Sequence, residues 1–223
     1  MNDWHRAYVL LPSFVAVLLR AAVTTIEITL GGLTVALILG LIVALLRRSP
    51  FRPLAVLGGI YVEIFRCVPV LVQLFIIYFG LGELGLRLAP LTAAIIGFGL
   101  NGAAYLAEIY RSGIEAVHKG QFEAAASIGM TRGQAMWWIV LPQAIRIALP
   151  PIGNYGVGLL KDSSIAVAVA APEITFAATN LINETYLSTQ IYLLMALIYI
   201  SMSLPLSYAV RSLEARASRG RGR

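Results

Sequence analysis

The sequence QFEAAASIGMTRGQAMWWIVLP, residues 121–142, lies between two long apolar runs and has a composition unlike either of them. It predicts two short helices joined by a turn. Gly129 is placed to end the first helix in a left-handed conformation, which glycine adopts without steric cost. Thr131 and Gln134 have the spacing of a capping box and predict the start of the second helix. Pro142 disfavours helical geometry at the residue before it, so a break in the chain is expected there.

Small side chains dominate the first of these two helices. Ala124, Ala125 and Gly129 carry almost no side chain, so another protein could approach this helix to backbone distance. At helical spacing, one face of the helix holds Phe122, Ala125, Ala126 and Gly129. The pattern therefore predicts a contact surface rather than a structural connection.

The composition predicts a membrane protein. Of the 223 residues, 59% are hydrophobic and 13% are charged, whereas soluble domains have about 25% charged residues. The formal net charge of +6 is typical of the basic inner face of a membrane protein and does not require a nucleic-acid partner. Trp137 and Trp138 suit the boundary between lipid and water. Cys67 is the one cysteine in the sequence, which excludes a disulfide framework within the chain.

Five apolar runs predict five membrane-spanning helices in an all-α fold, forming one domain over residues 1–223. Each run is long enough to cross a hydrocarbon core of about 30 Å. The runs are residues 23–46, 54–81, 91–109, 143–160 and 191–210. Gly31, Gly32 and Gly40 suit close helix contacts in the first span. Pro69 predicts a kink in the second span, and Pro150-Pro151 predicts a broken helix in the fourth.

Two further segments are expected to lie outside the spans. Residues 1–20 are short and interrupted by Pro12, which predicts a separate segment along the outer interface. Residues 165–188 are apolar but interrupted by polar residues, which predicts a short helix folded back on the outer face.

The distribution of basic residues predicts the orientation. With five spans and an external N-terminus, the C-terminus is cytoplasmic, and eleven basic residues lie inside against four outside. The inner set is Arg47, Arg48, Arg52, Arg111, Lys119, Arg132, Arg211, Arg216, Arg219, Arg221 and Arg223. The outer set is Arg6, Arg20, Arg87 and Lys161. This arrangement places residues 121–142 in the cytoplasm.

Sequence signatures of catalysis are missing. The sequence contains no G-x-x-x-x-G-K-[ST], H-E-x-x-H or G-x-S-x-G pattern. His5 and His118 fall on opposite predicted faces of the membrane, so a shared metal ion is not expected. The sequence therefore predicts a protein without enzyme activity or a cofactor of its own.

A family resemblance rests on the spacing within residues 121–142. Glu123-Ala124-Ala125, then Gly129, Ile139 and Leu141-Pro142 resemble the EAA loop of binding-protein-dependent ABC importer permeases. Residues 61–80, 103–125 and 159–166 resemble the branch of that family that transports polar amino acids such as histidine, arginine and glutamine. Two features depart from that branch: Cys67-Val68, where Gly-Thr is expected, and Pro172 just ahead of an acidic residue.

The resemblance implies a type I importer permease in the inner membrane. Its coupling residues would be Glu123, Ala124, Ala125 and Gly129, docked on a dimer of ATP-binding subunits that binds ATP and Mg²⁺. The remaining implied partners are a second copy of the chain or a homologous permease, a solute-binding protein outside the cell, a polar amino acid and the lipid bilayer.

Polar residues at membrane depth are candidates for a substrate path. They are Gln73, Asn101, Asp162, Ser163 and Ser164. Asp162 would accept an ammonium group or a cationic side chain, while Asn101 and the two serines would donate to a carboxylate. Gln73 and Asn101 could equally form hydrogen bonds between helices.

Two pairs of opposite charges lie one helical turn apart. Glu63 with Arg66, and Glu108 with Arg111, have the spacing of structural ion pairs. Two other functions remain open: a carrier driven by an ion or substrate gradient, which would use the same polar residues at membrane depth, and a membrane anchor that holds an ATPase without transporting anything. The first would transport without ATP, and the second would bind an ATPase without solute flux.

Overall fold

The structure is a computed structural model that describes residues 3–218, with side chains as far as residue 215. All regular structure in that part of the chain is helical. We number the helices α1 (Asp3–Arg47), α2 (Arg52–Cys67), α3 (Val70–Glu83), α4 (Pro90–Glu115), α5 (Gly120–Ser127), α6 (Arg132–Val169), α7 (Ile174–Thr185) and α8 (Ser188–Ser218). Arg219, Arg221 and Arg223, which contribute to the predicted inner charge, lie outside the described residues.

Four helices, α1, α4, α6 and α8, are long and apolar enough to cross a membrane. A fifth span is formed if the bent pair α2 and α3 is taken together. The all-α fold predicted from the five apolar runs is therefore confirmed.

Helix α1 corrects the prediction for the start of the chain. Residues 3–20 do not form a separate interfacial segment, because they continue without a break into the first span. Phe14 and Leu18 in this segment are buried against Ile174 of α7 and Ile191 of α8. These packing partners keep the helix continuous across Pro12, which faces outward and is exposed.

The centre of the fold is the contact between α1 and α4, where small residues bring the backbones together. A β-carbon added to Gly40 would lie 2.9 Å from Cβ of Leu106 and 3.1 Å from the carbonyl oxygen of Ala103. Gly102 in α4 is packed just as tightly, against Ala36 and the hydroxyl of Tyr155. The close contact predicted for the glycines of the first span is therefore confirmed at Gly40.

The second span is bent far more sharply than a proline kink. Helices α2 and α3 meet at an angle of 105°, at the break that contains Pro69. The sequence predicted the position of the kink correctly but did not predict the size of the bend.

The fourth span is not broken, contrary to the prediction. Helix α6 runs for 38 residues, and both Pro150 and Pro151 lie inside it. Proline's fixed φ is compatible with a helix, so its cost is the missing N–H and a local clash. Close packing on both sides holds the helix together. A β-carbon on Gly153 would lie 2.8 Å from the side chain of Val210, and one on Gly113 would lie 3.1 Å from the carbonyl oxygen of Ala144.

Helix α7 confirms the short helix predicted within residues 165–188, while its position on the outer face stays a prediction. It has 12 residues, about 18 Å at 1.5 Å per residue, which is too short to span a membrane. Its buried residues pack against α1 and α8.

Candidate functional site

The break between α2 and α3 is held open by two side-chain amides. Pro69 has no N–H, so the carbonyl of Phe65, four residues earlier, loses its helical partner. That carbonyl accepts hydrogen bonds from Nε2 of Gln73 at 2.9 Å and from Nδ2 of Asn101 at 3.0 Å. Nε2 of Gln73 also donates to the carbonyl of Val68 at 2.8 Å. The two amides therefore replace the hydrogen bonds that the bend removes.

The bend opens a cleft of about 480 Å³ between α2, α4 and α6. Arg66, Asn101 and Asp162 supply its strongest polar groups. The aromatic rings of Tyr105 and Tyr155 also line the cleft and stack with their centres 6.1 Å apart. The structure therefore brings together Asn101 and Asp162 from the predicted substrate path.

The other predicted path residues lie elsewhere. Gln73 is buried behind the break, and its Oε1 is buried without a hydrogen-bond partner in the described part of the chain. Ser163 is fully buried and donates to the carbonyl of Leu160 at 2.7 Å. Ser164 is half-buried and does not line the cleft.

Arg66 is the cleft residue that the sequence analysis misassigned. The predicted Glu63–Arg66 pair does not form, and both side chains are exposed. The guanidinium of Arg66 instead lies over the ring of Tyr105, 5.7 Å from its centre. Helical spacing showed that the two charges could meet, but the guanidinium of Arg66 contacts a ring of α4 instead.

The second predicted pair is confirmed and is part of a larger network. Arg111 contacts Glu108 at 2.8 Å and Glu115 at 2.6 Å. Glu108 also pairs with Arg47, at the end of α1. The network therefore joins the end of α1 to the end of α4, close to the start of α5.

Glu173 has a structural role that the sequence analysis did not assign. It is fully buried at the start of α7, and its carboxylate accepts from the backbone N–H groups of Thr175 and Phe176, both at 2.8 Å. The hydroxyl of Tyr199 donates a third hydrogen bond at 3.1 Å, which ties α7 to α8. Burial raises the pKa of Glu173, and the hydrogen bonds oppose that shift. An acidic residue just before an apolar helix is an N-cap signal that could have predicted this role.

The turn between α5 and α6 has the predicted geometry. Gly129 adopts a left-handed φ of 80°. Its N–H donates to Ala126, and that of Met130 donates to Ala125, both at 3.0 Å, which completes a Schellman motif. The capping box is also present: Thr131 N–H donates to Oε1 of Gln134 at 2.8 Å, and the Gln134 N–H donates to Oγ1 of Thr131 at 3.3 Å.

The predicted break at Pro142 does not occur. Leu141 is helical, with φ −61° and ψ −43°, and α6 continues through the proline. A π-helical turn at Met136–Val140 directly precedes it. The wider turn adds a residue between donor and acceptor, which shifts the carbonyl that would otherwise meet the proline ring.

One face of α5 is buried and the other is exposed. Phe122 packs against the apolar cluster of Val117, Val140 and Ala144, and Ala125 is only 1% exposed. We call the opposite, exposed face the docking surface, after the role that the sequence predicts for it; it comprises Glu123, Ala124, Ser127 and Ile128. Of the four predicted coupling residues, Glu123, Ala124 and Gly129 are therefore at the surface and Ala125 is not.

Ile128 is a part of the docking surface that the sequence analysis missed. It is 76% exposed at the end of α5. Large exposed apolar residues are frequent contacts at protein interfaces. Its position directly before Gly129, the residue predicted to end the helix, was the sequence signal that could have identified it.

Comparison with known proteins identifies the family. Residues 36–219 match the family described as binding-protein-dependent transport system inner membrane component. The probable glutamine ABC transporter permease protein GlnM of Bacillus subtilis is 42% identical over 179 residues, 80% of this chain and 83% of that protein. The glutamine transport system permease protein GlnP of Escherichia coli is 31% identical and covers 96% of this chain and 97% of its own length.

Solved structures agree with the sequence comparison. The fold matches a chain of an amino acid ABC transporter crystallised with histidines, with a TM-score of 0.90 and 34% identity, over 93% of this chain and 97% of that one. A chain of the inward-facing MetNI methionine transporter, 20% identical, shares the fold with a TM-score of 0.70, over 89% of this chain and 97% of that one. The chain therefore belongs to the family of binding-protein-dependent transport system inner membrane components, and is a multi-pass transport component rather than an enzyme.

Proposed function

We propose that this chain is the membrane-spanning permease subunit of an ATP-driven importer that carries a polar amino acid into the cytoplasm. The names of its relatives, which include amino-acid and glutamine ABC transporter permeases, support the substrate class. The observation that carries the proposal is the docking surface, an exposed helix face held by two capping motifs. A gradient-driven carrier would have no use for such a surface.

The proposed partners follow from what the chain lacks and what it exposes. Its sequence has no phosphate-binding loop, so a dimer of separate ATP-binding subunits would bind ATP and Mg²⁺ and dock on the docking surface. A second copy of the chain, or a homologous permease, would complete the membrane path. A solute-binding protein would deliver the amino acid to the outer face.

The proposed orientation places α5 in the cytoplasm and the N-terminus outside. Eleven basic residues against four support it. The structure adds a second argument, because the ion pair between Arg47 and Glu108 places the basic end of α1 at the same end of the bundle as α5.

Helix α6 is suited to transmit motion from the docking surface to the cleft. Near its start, Val140 and Ala144 share an apolar cluster with Phe122 of α5. Near its other end, Asp162 lines the cleft. The 18 residues from Ala144 to Asp162 correspond to about 27 Å of rigid helix at 1.5 Å per residue. A push on α5 by closing ATP-binding subunits would therefore displace one wall of the cleft.

The proposed substrate contacts are Asn101 and Asp162, both of which line the cleft. Asp162 would accept the ammonium group. Gln73, Ser163 and Ser164 would support this path indirectly, since none of the three lines the cleft.

The variant Ala124→Trp tests the coupling role. Ala124 is exposed in the middle of α5, so tryptophan adds bulk to the docking surface without strain. A substitution at Gly129 would be ambiguous, because its positive φ strains any side chain. In proteoliposomes containing the ATP-binding subunit and the binding protein, we expect at least about a tenfold loss of ATP-driven uptake, equivalent to about 1.4 kcal/mol of coupling.

Ala116→Trp is the matched control, because Ala116 is an exposed alanine at the end of α4, outside α5. We expect this variant to retain uptake. Normal ATP-driven uptake by Ala124→Trp, or uptake by the wild-type permease without any ATP-binding subunit, would reject the proposed function.

A further inference from the structure

Two opposite charges line the cleft without pairing to each other. Arg66 comes from the end of α2, and Asp162 comes from α6. Among the described side chains, those of residues 3–215, neither forms an ion pair with another residue. Lys161, next to Asp162, is exposed and does not line the cleft. The structure therefore leaves one cation and one anion available in the same cavity.

Arg66 and Asp162 are both exposed in the open cleft, but an unpaired charge within the spans of a membrane protein is costly. On insertion scales, the free-energy penalty for placing one such charge in the bilayer corresponds to about a 100-fold change in the equilibrium constant for membrane insertion. Such groups are usually paired or serve as parts of a transport path. A ligand that carried both a negative and a positive group would compensate Arg66 and Asp162 together.

The rest of the cleft lining carries no further charge. Among the described residues, its remaining polar groups are the amide of Asn101, the phenols of Tyr105 and Tyr155, and the thiol of Cys67. The other lining side chains are apolar. The volume of about 480 Å³ is within the range of small-molecule sites, roughly 300–1,000 Å³.

We propose that the cleft selects amino acids whose side chain is uncharged. The inference deepens the proposed function and rests on it. Arg66 binds the α-carboxylate, Asp162 binds the α-ammonium group, and the two pairs leave the bound complex with no net charge. The side chain of the substrate then faces only neutral groups. A third charge, as in arginine or glutamate, would find no further oppositely charged residue in the cleft lining.

Charge-changing variants test this selectivity on the permease itself. We would measure equilibrium binding of radiolabelled glutamine, arginine and glutamate to the purified complex of permease and ATP-binding subunit, without the solute-binding protein. For the wild type, glutamine should bind at least about tenfold more tightly than either charged amino acid.

The two variants should shift selectivity in opposite directions. Arg66→Gln leaves the cleft with a net negative charge, so binding of arginine relative to glutamine should rise by at least about tenfold. Asp162→Asn leaves a net positive charge, so binding of glutamate relative to glutamine should rise by a similar factor. A residue with a purely structural role would weaken all three ligands together.

Glu63→Gln is the matched control, because Glu63 is an exposed charge in the same helix as Arg66 but outside the cleft. It should leave the preference unchanged. Tighter wild-type binding of arginine or glutamate, parallel effects of both cleft variants, or no binding of any of the three would overturn the inference. The proposed function fails separately, if the full complex with its binding protein transports no amino acid in the presence of ATP.

Discussion

Two prolines of this chain have opposite effects on the helices that contain them. At Pro69 the chain turns by 105°, and a cleft opens at the bend. At Pro142 the helix continues. The difference lies in the neighbouring hydrogen bonds, because the carbonyl freed by Pro69 has two side-chain amides as donors, whereas Pro142 follows a π-helical turn.

The comparison shows that a proline permits a bend and that its surroundings decide whether the bend forms. A freed carbonyl in a lipid environment must find another donor. Gln73 and Asn101 provide that donor from α3 and α4, so the bent state is stable. The same amides that the sequence presented as substrate contacts therefore shape the cavity in which a substrate would bind.

The largest expected effect is that of Gln73→Leu. The carbonyl of Val68 would lose its side-chain donor, and that of Phe65 would lose one of two. We expect a decrease of about 1–3 kcal/mol in the free energy of unfolding, measured by thermal unfolding in detergent. Leucine also removes the unpartnered Oε1 of Gln73, so the net loss should lie toward the lower end of that range.

Gln190→Leu is the control for this variant. Gln190 is a half-buried glutamine of α8 for which the described part of the chain provides no hydrogen-bond partner. Its substitution should change stability by less than about 0.5 kcal/mol. Equal effects of the two variants would show that the amide of Gln73 does not stabilise the bend.

Asn101→Leu should have a smaller effect. It removes one hydrogen bond to the carbonyl of Phe65, which keeps its bond from Gln73. The expected loss is about 0.5–1.5 kcal/mol. The double variant with Gln73→Leu should lose more than the sum of the two, because the shared carbonyl then has no side-chain donor. If thermal unfolding showed that the two losses in the free energy of unfolding simply add, the two amides would not be acting together on the carbonyl of Phe65.

The smallest effect is expected for Pro142→Ala. The substitution restores an N–H at a site where the helix already continues, so stability should change by less than about 1 kcal/mol. The coupled ATPase activity of the assembled complex should also stay at the wild-type level. A loss as large as that of Gln73→Leu would mean that Pro142 shapes α6 as strongly as Pro69 shapes α2 and α3.

The sequence predicted well wherever the signal is local. The left-handed Gly129 and the capping box of Thr131 with Gln134 depend on residues within one turn, and both have the predicted geometry. The pair of Glu108 with Arg111 is equally local. Apolar runs likewise predicted the spans, because each run must be long enough to cross the bilayer.

The errors came where distant elements decide the outcome. Residues 3–20 are helical because α7 and α8 cover their apolar side, and α6 stays continuous through Pro150 and Pro151. Arg66 was assigned to Glu63, its neighbour in the sequence, whereas its contact is with Tyr105 of α4.

By itself, the sequence determined that this chain is an all-helical membrane protein with a short capped helix between two spans, because hydropathy and caps act over short distances. Only the tertiary structure decided which polar residues share the cleft. The backbone hydrogen bonds at Pro69 are completed by side chains from two other helices, and that arrangement places Arg66 and Asp162 in one cavity.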